Sequence, residues 1–352
     1  MLEVVAPGAY ASLQDRGRRG YRRVGVPWAG VLDARLMRVA NALAGNADDA
    51  PVIECFDGGL LLAARGGTLR LAVAGDAVVE FERGGVRRVL DPWRSMTLED
   101  GDLLRVRRMA HGRIAVVAVE GLALPLVLGS AATYARAALG GVDGRALVAG
   151  TRLAVAPASR RGELALAAAP RPADGPIRVV AGPQADHFAA ETLAAFVAAD
   201  YRVSAEADRM GVRLEGPALA HLGAPEIVSD ATVPGSIQVP GNGQPIVLLA
   251  DAQTAGGYPK IATVIGADLP RLAAARPGQR LRFAYIDAAE GERLARAAEA
   301  RTRALLAALR PLLDGGIDLE ALYGDNLLSG FVHALAPQHE EPGADDHPRV
   351  RD

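Results

Sequence analysis

Lysine is almost absent from this chain of 352 residues. Of its 39 basic residues, 38 are arginines and one, Lys260, is a lysine. Arginine presents a planar fork that keeps its charge, whereas lysine presents a compact, titratable amine. A single lysine in an arginine-rich chain is therefore either a surface residue left by chance or a position where arginine is unsuitable. Composition alone does not decide between the two.

Cysteine, excess charge and long apolar runs are also scarce. Cys55 is the only cysteine, so an internal disulfide is impossible and a reducing, cytoplasmic compartment is expected. The net charge of −2 argues against a nucleic-acid binder, which needs a basic face. The longest apolar stretch, 114–128, is interrupted by Glu120 and Pro125 and is too short to cross a bilayer. The N-terminal residues do not resemble a signal peptide, so no membrane association is expected.

Common catalytic motifs are missing as well. The chain has no P-loop, no dinucleotide-binding glycine motif, no nucleophile elbow and no zinc-protease helix motif. Its six histidines are not at metal-ligand spacing, so no metal site is expected. Lys260 does not follow a methionine, as a biotin-attachment lysine would. Any biotin is therefore expected on another chain, not attached to this one.

Half of the residues are apolar, and their pattern along the chain predicts one early helix and many short strands. Asp33 is placed to cap a helix through residue 44, and Gly45 is placed to end it. Apolar or alternating runs between Gly and Asp pairs predict strands at 51–55, 59–63, 68–74, 77–82, 86–90, 103–107 and 113–119. This spacing favours an antiparallel barrel or sandwich.

A second group of strands follows a stretch rich in Ala, Pro and Arg. Residues 155–176 have no sustained period and are the predicted boundary between domains at 1–170 and 176–287. The second domain is predicted to contain a helix at 185–199 and strands at 177–180, 201–204, 227–229, 236–239, 246–250, 261–265 and 281–286. A long helix at 288–313 begins a C-terminal extension at 288–335, and the polar tail at 336–352 is predicted to be disordered.

Two arginine-rich segments are candidate anion sites. Residues 14–23 place five arginines among glycines, beside Gln14 and Asp15. Arg18 and its neighbours suit a carboxylate or phosphate, although a solvated loop has the same composition. In 208–214, alternation predicts that Arg209 and Arg213 share one strand face, either as an anion site or in a structural ion pair.

Two glycine-rich loops carry amides and the lone lysine. Gln238 and Gln244, in 235–245, suit a neutral amide or urea-like ligand. The loop 250–260 lies between two apolar strands and carries Asp251, Gln253, Thr254, Gly256, Gly257, Tyr258 and Lys260. Its glycines let backbone N–H groups approach a ligand. Such a loop on a β scaffold favours a functional role for the lysine.

At these residues the chain resembles the allophanate hydrolase subunit 2 type, also called the carboxyltransferase subdomain A/B family. The matching residues lie in 14–20 and 25–33, at Asn41, Gly45, Asn46 and Glu54, in 208–214 and in the long run 235–265. The resemblance covers about residues 3–286. It implies a mainly β chain of two cyclophilin-like β-barrel subdomains, here followed by a C-terminal helix.

The resemblance also implies a function and partners. It implies one component of an ATP-dependent 5-oxoprolinase, which opens 5-oxoproline to glutamate together with A-like and B-like subunits of that enzyme. ATP is then used with the partner subunits. Two alternatives stay open, namely a biotin-dependent carboxyltransferase component with a urea-like substrate, and a non-enzymatic regulator that binds a kinase-inhibitor-like partner.

Chemistry then suggests a role for each candidate. Lys260 and the arginines 18, 209 and 213 neutralise phosphate or oxyanion charge, and Asp251 accepts a proton. Amide and hydroxyl groups hold the lactam, from Gln238, Gln244, Gln253 and Thr254. The remaining predicted contacts are Gln14, Asp15, Gly256, Gly257 and Tyr258.

Overall fold

The computed structural model describes residues 1–170 and 173–312, which belong to one compact unit. The strands of the first half are β1 (Leu2–Pro7), β2 (Tyr10–Gln14), β3 (Val52–Phe56), β4 (Leu60–Ala64), β5 (Leu69–Ala74), β6 (Ala77–Arg83), β7 (Val86–Leu90), β8 (Arg94–Leu98), β9 (Leu103–Met109), β10 (Ile114–Val119), β11 (Arg152–Leu153) and β12 (Leu164–Leu166). Those that follow are β13 (Ile177–Ala181), β14 (Tyr201–Val203), β15 (Gly211–Glu215), β16 (Asp230–Ala231), β17 (Ser236–Gln238), β18 (Ile246–Leu248), β19 (Ala255–Gly256), β20 (Lys260–Val264), β21 (Arg280–Leu281), β22 (Phe283–Tyr285) and β23 (Leu309–Pro311). The α-helices are α1 (Ala34–Ala44), α2 (Ala190–Ala198), α3 (Leu269–Ala273) and α4 (Ala288–Ala307).

The first half consists of two sheets that share a core. The six-stranded sheet has the order β11-β1-β4-β9-β6-β7, and the seven-stranded sheet has the order β2-β3-β10-β5-β8-β12-β23. Leu62 and Leu104 of the first sheet are buried in the same cluster as Val73 and Val117 of the second. This packing of sheet on sheet confirms the predicted mainly β class.

Helix α1 covers the other face of the seven-stranded sheet. All six residues of β10 are buried, because alternate side chains face the inter-sheet core and the helix. The Asp33 carboxylate caps α1 by accepting from the N–H groups of Arg35 at 2.9 Å and Leu36 at 3.2 Å. Gly45 ends the helix with φ +86°, a left-handed conformation that glycine adopts without strain. The predicted helix is confirmed.

The second half is built on an eight-stranded sheet that nearly closes. Its order is β21-β14-β15-β18-β17-β20-β13-β22, and its pairs are antiparallel except for β13 with β22. The two edge strands, β21 and β22, are separated along the chain by Arg282 alone. The edges therefore lie close together, as in a barrel. Phe196 of α2 stacks on Phe283 of β22, with ring centroids 4.8 Å apart.

Four predicted elements differ from the structure. The predicted strand 281–286 is divided into β21 and β22, which lie at opposite edges of the eight-stranded sheet. Residues 227–229 are not a strand, and residues 185–199 form a short 3₁₀ turn followed by α2. The predicted helix 288–313 ends at Ala307, and β23 then pairs with β12 in the first half. Long-range pairing of this kind leaves no local signal in the sequence. The domain boundaries at 170 and 176 stay a prediction, and 336–352 lies outside the described residues.

None of the described helices combines the length and the apolar character that a bilayer-crossing segment needs.

Candidate functional site

Arg209 is buried between two carboxylates from distant parts of the chain. Its Nε and Nη2 donate to the two carboxylate oxygens of Asp251 at 3.0 and 2.9 Å, and its Nη1 donates to Glu54. Nη2 also donates to the carbonyl oxygen of Gly30 at 2.6 Å. Glu54 lies on β3 and is fully buried, whereas Arg209 lies just before β15. The cluster therefore joins the two halves.

Burial and the shared guanidinium set the charge state of this cluster. Burial raises the pKa of Glu54, although Arg209 and the Leu32 N–H oppose the shift. Burial alone would lower the pKa of Arg209, but the carboxylates of Glu54 and Asp251 outweigh it and the net direction is upward. Arg209 therefore stays charged, and both oxygens of Asp251 are already occupied by its guanidinium.

The segment 14–18 supports a second segment, 127–133. The Asp15 carboxylate accepts from the Ser130 hydroxyl and the Ala131 N–H, both at 2.6 Å. Gln14 Nε2 donates to the carbonyl oxygen of Thr133 at 3.1 Å, and Arg18 donates to the carbonyl oxygens of residues 127 and 132. All three predicted residues are buried, so they position backbone here.

The supported segment continues into the wall of a cleft. A cavity of roughly 540 Å³ lies where the first half meets the loop before β15. Its lining includes Tyr10, Phe56, Tyr134, Arg136, Arg209 and Asp251. Its size is within the usual range for a small-molecule site. The cleft therefore combines aromatic walls with the charged cluster around Arg209.

Lys260 lies in a separate place, on the barrel strand β20. Its side chain is 2% exposed, and its Nζ donates to Asp230 at 2.8 Å. Gln184 Nε2 donates to the same carboxylate oxygen at 3.0 Å, while its side-chain oxygen accepts from the Lys260 N–H. The hydrogen bonds from Lys260 and then Gln184 lower the pKa of Asp230 to about 2. A buried ammonium is thus paired with a half-exposed carboxylate.

Two glutamine amides lie in the adjoining loops. Gln253 Nε2 donates to Gln238 Oε1 at 3.1 Å, and the register of β17 and β20 places Gln238 opposite Lys260. Gln238 Nε2 is buried and has no partner within the described part of the chain. A Cβ at Gly256 would come within 2.5 Å of that nitrogen. Glycine therefore allows the loop to approach the amide closely.

Other predicted residues are placed apart from these groups. The Gln244 amide bonds to the backbone of Gly216. It accepts from the Gly216 N–H at 2.9 Å and donates to the Gly216 carbonyl oxygen at 3.0 Å. Arg213 is exposed and lies 3.4 Å from Glu206. The prediction that Arg213 and Arg209 share a strand face is wrong, because Arg209 precedes β15 and turns inward.

The outer side of the loop 250–260 contacts the arginine-rich segment. Arg22 donates to the carbonyl oxygen of Thr232. Its Nη2 also lies 3.5 Å from the carbonyl oxygen of Thr254. Tyr258 is 39% exposed, and Gly257 lies against the carbonyl oxygen of Ile227. The structure thus brings Gln238, Gln253 and Gly256 together, with Thr254 in the same loop.

Four residues of the Arg209 cluster, the cleft and the surroundings of Lys260 were not among the predicted site residues: Glu54, Tyr134, Arg136 and Asp230. Glu54 sits in an apolar strand, where a lone carboxylate is a signal of a buried partner. Tyr134 and Arg136 had no such signal, because only the contacts with residues 14–18 bring them to the cleft. Within residues 1–170 and 173–312, no three His, Cys, Asp or Glu side chains cluster as metal ligands would.

Comparison with known proteins defines the class to which this arrangement belongs. Residues 24–285 match the model of the carboxyltransferase domain, subdomain A and B. The chain belongs to this family, which confirms the resemblance seen in the sequence.

Two relatives and one solved structure are similar to this chain over most of its length. The C subunit of 5-oxoprolinase from Escherichia coli (strain K12) is 36% identical over 298 residues, which cover 80% of this chain and 90% of that protein. The C subunit of 5-oxoprolinase from Haemophilus influenzae is also 36% identical, over 84% of this chain and 94% of its own length. The crystal structure of K. lactis urea amidolyase superposes with a TM-score of 0.78 at 26% identity, over 89% of this chain but 20% of that one.

Proposed function

We propose that this chain is the C-type subunit of an ATP-dependent 5-oxoprolinase complex, a hydrolase that opens 5-oxoproline to glutamate. The observation that carries the proposal is its 36% identity to two proteins of that name, over 90% and 94% of their length. The A-like and B-like subunits are its partners, and the complex is cytoplasmic. The chain has no P-loop of its own, so ATP is used with the partners.

The chemistry of lactam opening fits the groups around Lys260. The amide oxygen is activated by taking a phosphoryl group from ATP, and water then opens the ring with release of phosphate. Charge builds up on oxygen during both steps, and an ammonium with unused donors stabilises it. Lys260 gives one N–H to Asp230 in the structure and has two more. The unpaired Nε2 of Gln238, opposite Lys260, supplies an amide donor to the lactam.

Reconstitution tests this function. The chain is purified alone and with the A-like and B-like subunits, and ADP release is measured with 5-oxoproline or with urea. We expect ADP release that depends on 5-oxoproline from the assembled complex, and negligible release from the chain alone. Full turnover by the isolated chain, or no response of the complex to 5-oxoproline, would contradict the proposal.

The second candidate is a biotin-dependent carboxyltransferase component. The likeness to K. lactis urea amidolyase favours it, because that superposition covers 89% of this chain. The biotin would be attached to another chain. The same assay distinguishes the two, since this candidate requires a urea response and a biotinylated carrier. Binding to a kinase inhibitor without turnover by any complex would instead indicate the regulatory alternative.

A further inference from the structure

The segment that follows β13 lies directly against the backbone of Lys260. The N–H of Gln184 donates to the carbonyl oxygen of Lys260 at 3.3 Å, and the N–H of Gly182 donates to that of Ile261 at 3.0 Å. A Cβ at Gly182 would overlap the carbonyl oxygen of Lys260, so glycine allows the two backbones to approach this closely. The segment continues into a short 3₁₀ turn at 185–187. Gln184 is therefore fixed beside the strand that carries the lysine.

The Gln184 side chain bonds to the lysine and to its partner at the same time. Its Oε1 accepts from the Lys260 backbone N–H at 3.2 Å, and its Nε2 donates to Asp230 Oδ2 at 3.0 Å. A backbone N–H only donates and an ionised carboxylate only accepts, so these two partners fix the orientation of the amide. Lys260 Nζ donates to the same Oδ2 at 2.8 Å. The contacts thus close a ring from the Lys260 backbone, through Gln184 and Asp230, to the Lys260 ammonium.

The Asp230 carboxylate depends on this ring for its position. Its side chain is 48% exposed, and it lies on β16, a strand of two residues. Its other oxygen accepts from the N–H of Ala231, the next residue along the chain. Gln184 links the carboxylate to β20 independently of the lysine side chain. Because lysine has a flexible stem, a partner that is itself held in place reduces the freedom of the ammonium.

These contacts give Gln184 a role in the reaction. We infer that Gln184 is a positioning residue, which holds the Asp230 carboxylate in place so that the Lys260 ammonium directs its two remaining N–H groups to the substrate. The inference rests on the proposed function for the reaction in which Lys260 takes part. It adds that the ammonium is oriented before the substrate arrives, by a residue that acts through Asp230.

Because the chain has a single lysine, the ring can be tested without turnover. Trace labelling with acetic anhydride modifies two amines, Lys260 Nζ and the N terminus, and peptide mass spectrometry separates them. The ratio of the two rates reports how often the ammonium leaves Asp230. We expect Gln184→Met, which keeps the length of the side chain, to raise this ratio about tenfold, the factor that corresponds to one ordinary hydrogen bond. Gln279→Met is the control, because this exposed glutamine accepts from the Arg276 N–H at 3.0 Å and should leave the ratio unchanged.

A double-mutant cycle shows whether Gln184 acts through Asp230. If it does, Asp230→Asn should raise the labelling ratio by itself, and Gln184→Met should add little in that background. Loosening of the segment 182–187 without any role of Asp230 would give additive effects, and additive effects would overturn the inference. Gln184→Glu is the second variant, since it keeps the acceptor for the Lys260 N–H and loses only the donor to Asp230. It keeps the test decisive if Gln184→Met melts at a lower temperature.

Activity of the reconstituted complex completes the test. Gln184→Met should lower kcat for ADP release about tenfold and leave KM for 5-oxoproline nearly unchanged, because the residue orients the ammonium and does not hold the substrate. Labelling or kcat at the wild-type level in a normally folded variant would overturn the inference. A wild-type complex that does not respond to 5-oxoproline contradicts the proposed function instead, while the labelling cycle still decides whether Gln184 holds the Lys260 pair.

Discussion

Two buried cations, Arg209 and Lys260, are held in opposite ways. The guanidinium of Arg209 lies between Glu54 and Asp251, which are themselves buried. The ammonium of Lys260 has one carboxylate partner, Asp230, whose side chain is 48% exposed. Removing Arg209 would leave two buried carboxylates without their counter-charge, whereas removing Lys260 would leave a carboxylate that water can reach.

The difference separates a structural ion cluster from a reactive one. A cation whose nitrogens all bond to groups inside the protein is poorly suited to bind a substrate, and its main effect is on folding. A cation with uncommitted donors beside an accessible partner can exchange that partner for a ligand. We therefore expect Arg209 to dominate stability and Lys260 to dominate activity.

The largest effect is expected at Arg209. Arg209→Met should destabilise the fold by about 3–5 kcal/mol, because Glu54 and Asp251 lose their buried counter-charge. Urea-induced unfolding measures the change. Arg213→Met is the control, because Arg213 lies four residues later, is exposed and has one weak ion pair. It should change stability by no more than about 0.5 kcal/mol. Equal effects of the two substitutions would show that the cluster does not stabilise the fold.

Lys260 should affect activity more than stability. Lys260→Met keeps an apolar stem of similar length but removes the ammonium, so we expect a small change in melting temperature. ADP release by the reconstituted complex should fall on the order of a hundredfold, the typical loss of one charge-stabilising donor. Lys260→Arg restores the charge but crowds a site that is 2% exposed, and at least about a tenfold loss is expected. Turnover at the wild-type level in either variant would exclude Lys260 from the reacting site.

Acid should act on the Lys260 pair in a defined direction. The pKa of Asp230 falls from its ordinary value of 3.8 to about 2 in the folded protein. Its ion pair therefore stabilises the fold above pH 3.8, and this contribution is lost as the pH falls toward about 2. Asp230→Asn should lack that part of the pH dependence of stability. Unfolding curves recorded between these pH values measure the difference, and parallel profiles would contradict the assigned pair.

The smallest effect is expected at Cys55. Burial, and secondarily the charge of Glu54, raise the pKa of this thiol to about 12. The native thiol should therefore not react with Ellman's reagent at pH 8, although it should react fully once the chain is unfolded. Rapid labelling of the native protein would show that β3, which carries both Glu54 and Cys55, opens more readily than its burial indicates.

What the sequence could predict was mostly local. The helix capped by Asp33 and ended by Gly45 is found where the pattern placed it, because the cap and the stop lie within a few residues of it. The positions of the predicted site residues in the fold could not be predicted from local sequence in the same way. Glu54 and Asp251 lie 155 and 42 residues from Arg209, so its burial depends on how the two halves meet. Gln14, Asp15 and Arg18 each bond to a group in the segment 127–133, more than a hundred residues away, and no local pattern indicates those contacts.

The pairing of β12 with β23 has a consequence for synthesis of the chain. Leu164 lies opposite Pro311, so 146 residues separate the two partners. While the ribosome is still making the barrel strands, the seven-stranded sheet has an unpaired edge at β12. That edge can be covered only after residue 311 has left the exit tunnel. Late closure of this kind slows folding and leaves a strand edge open to other chains in the meantime, so the nascent protein is most prone to aggregate just before its described strands are complete.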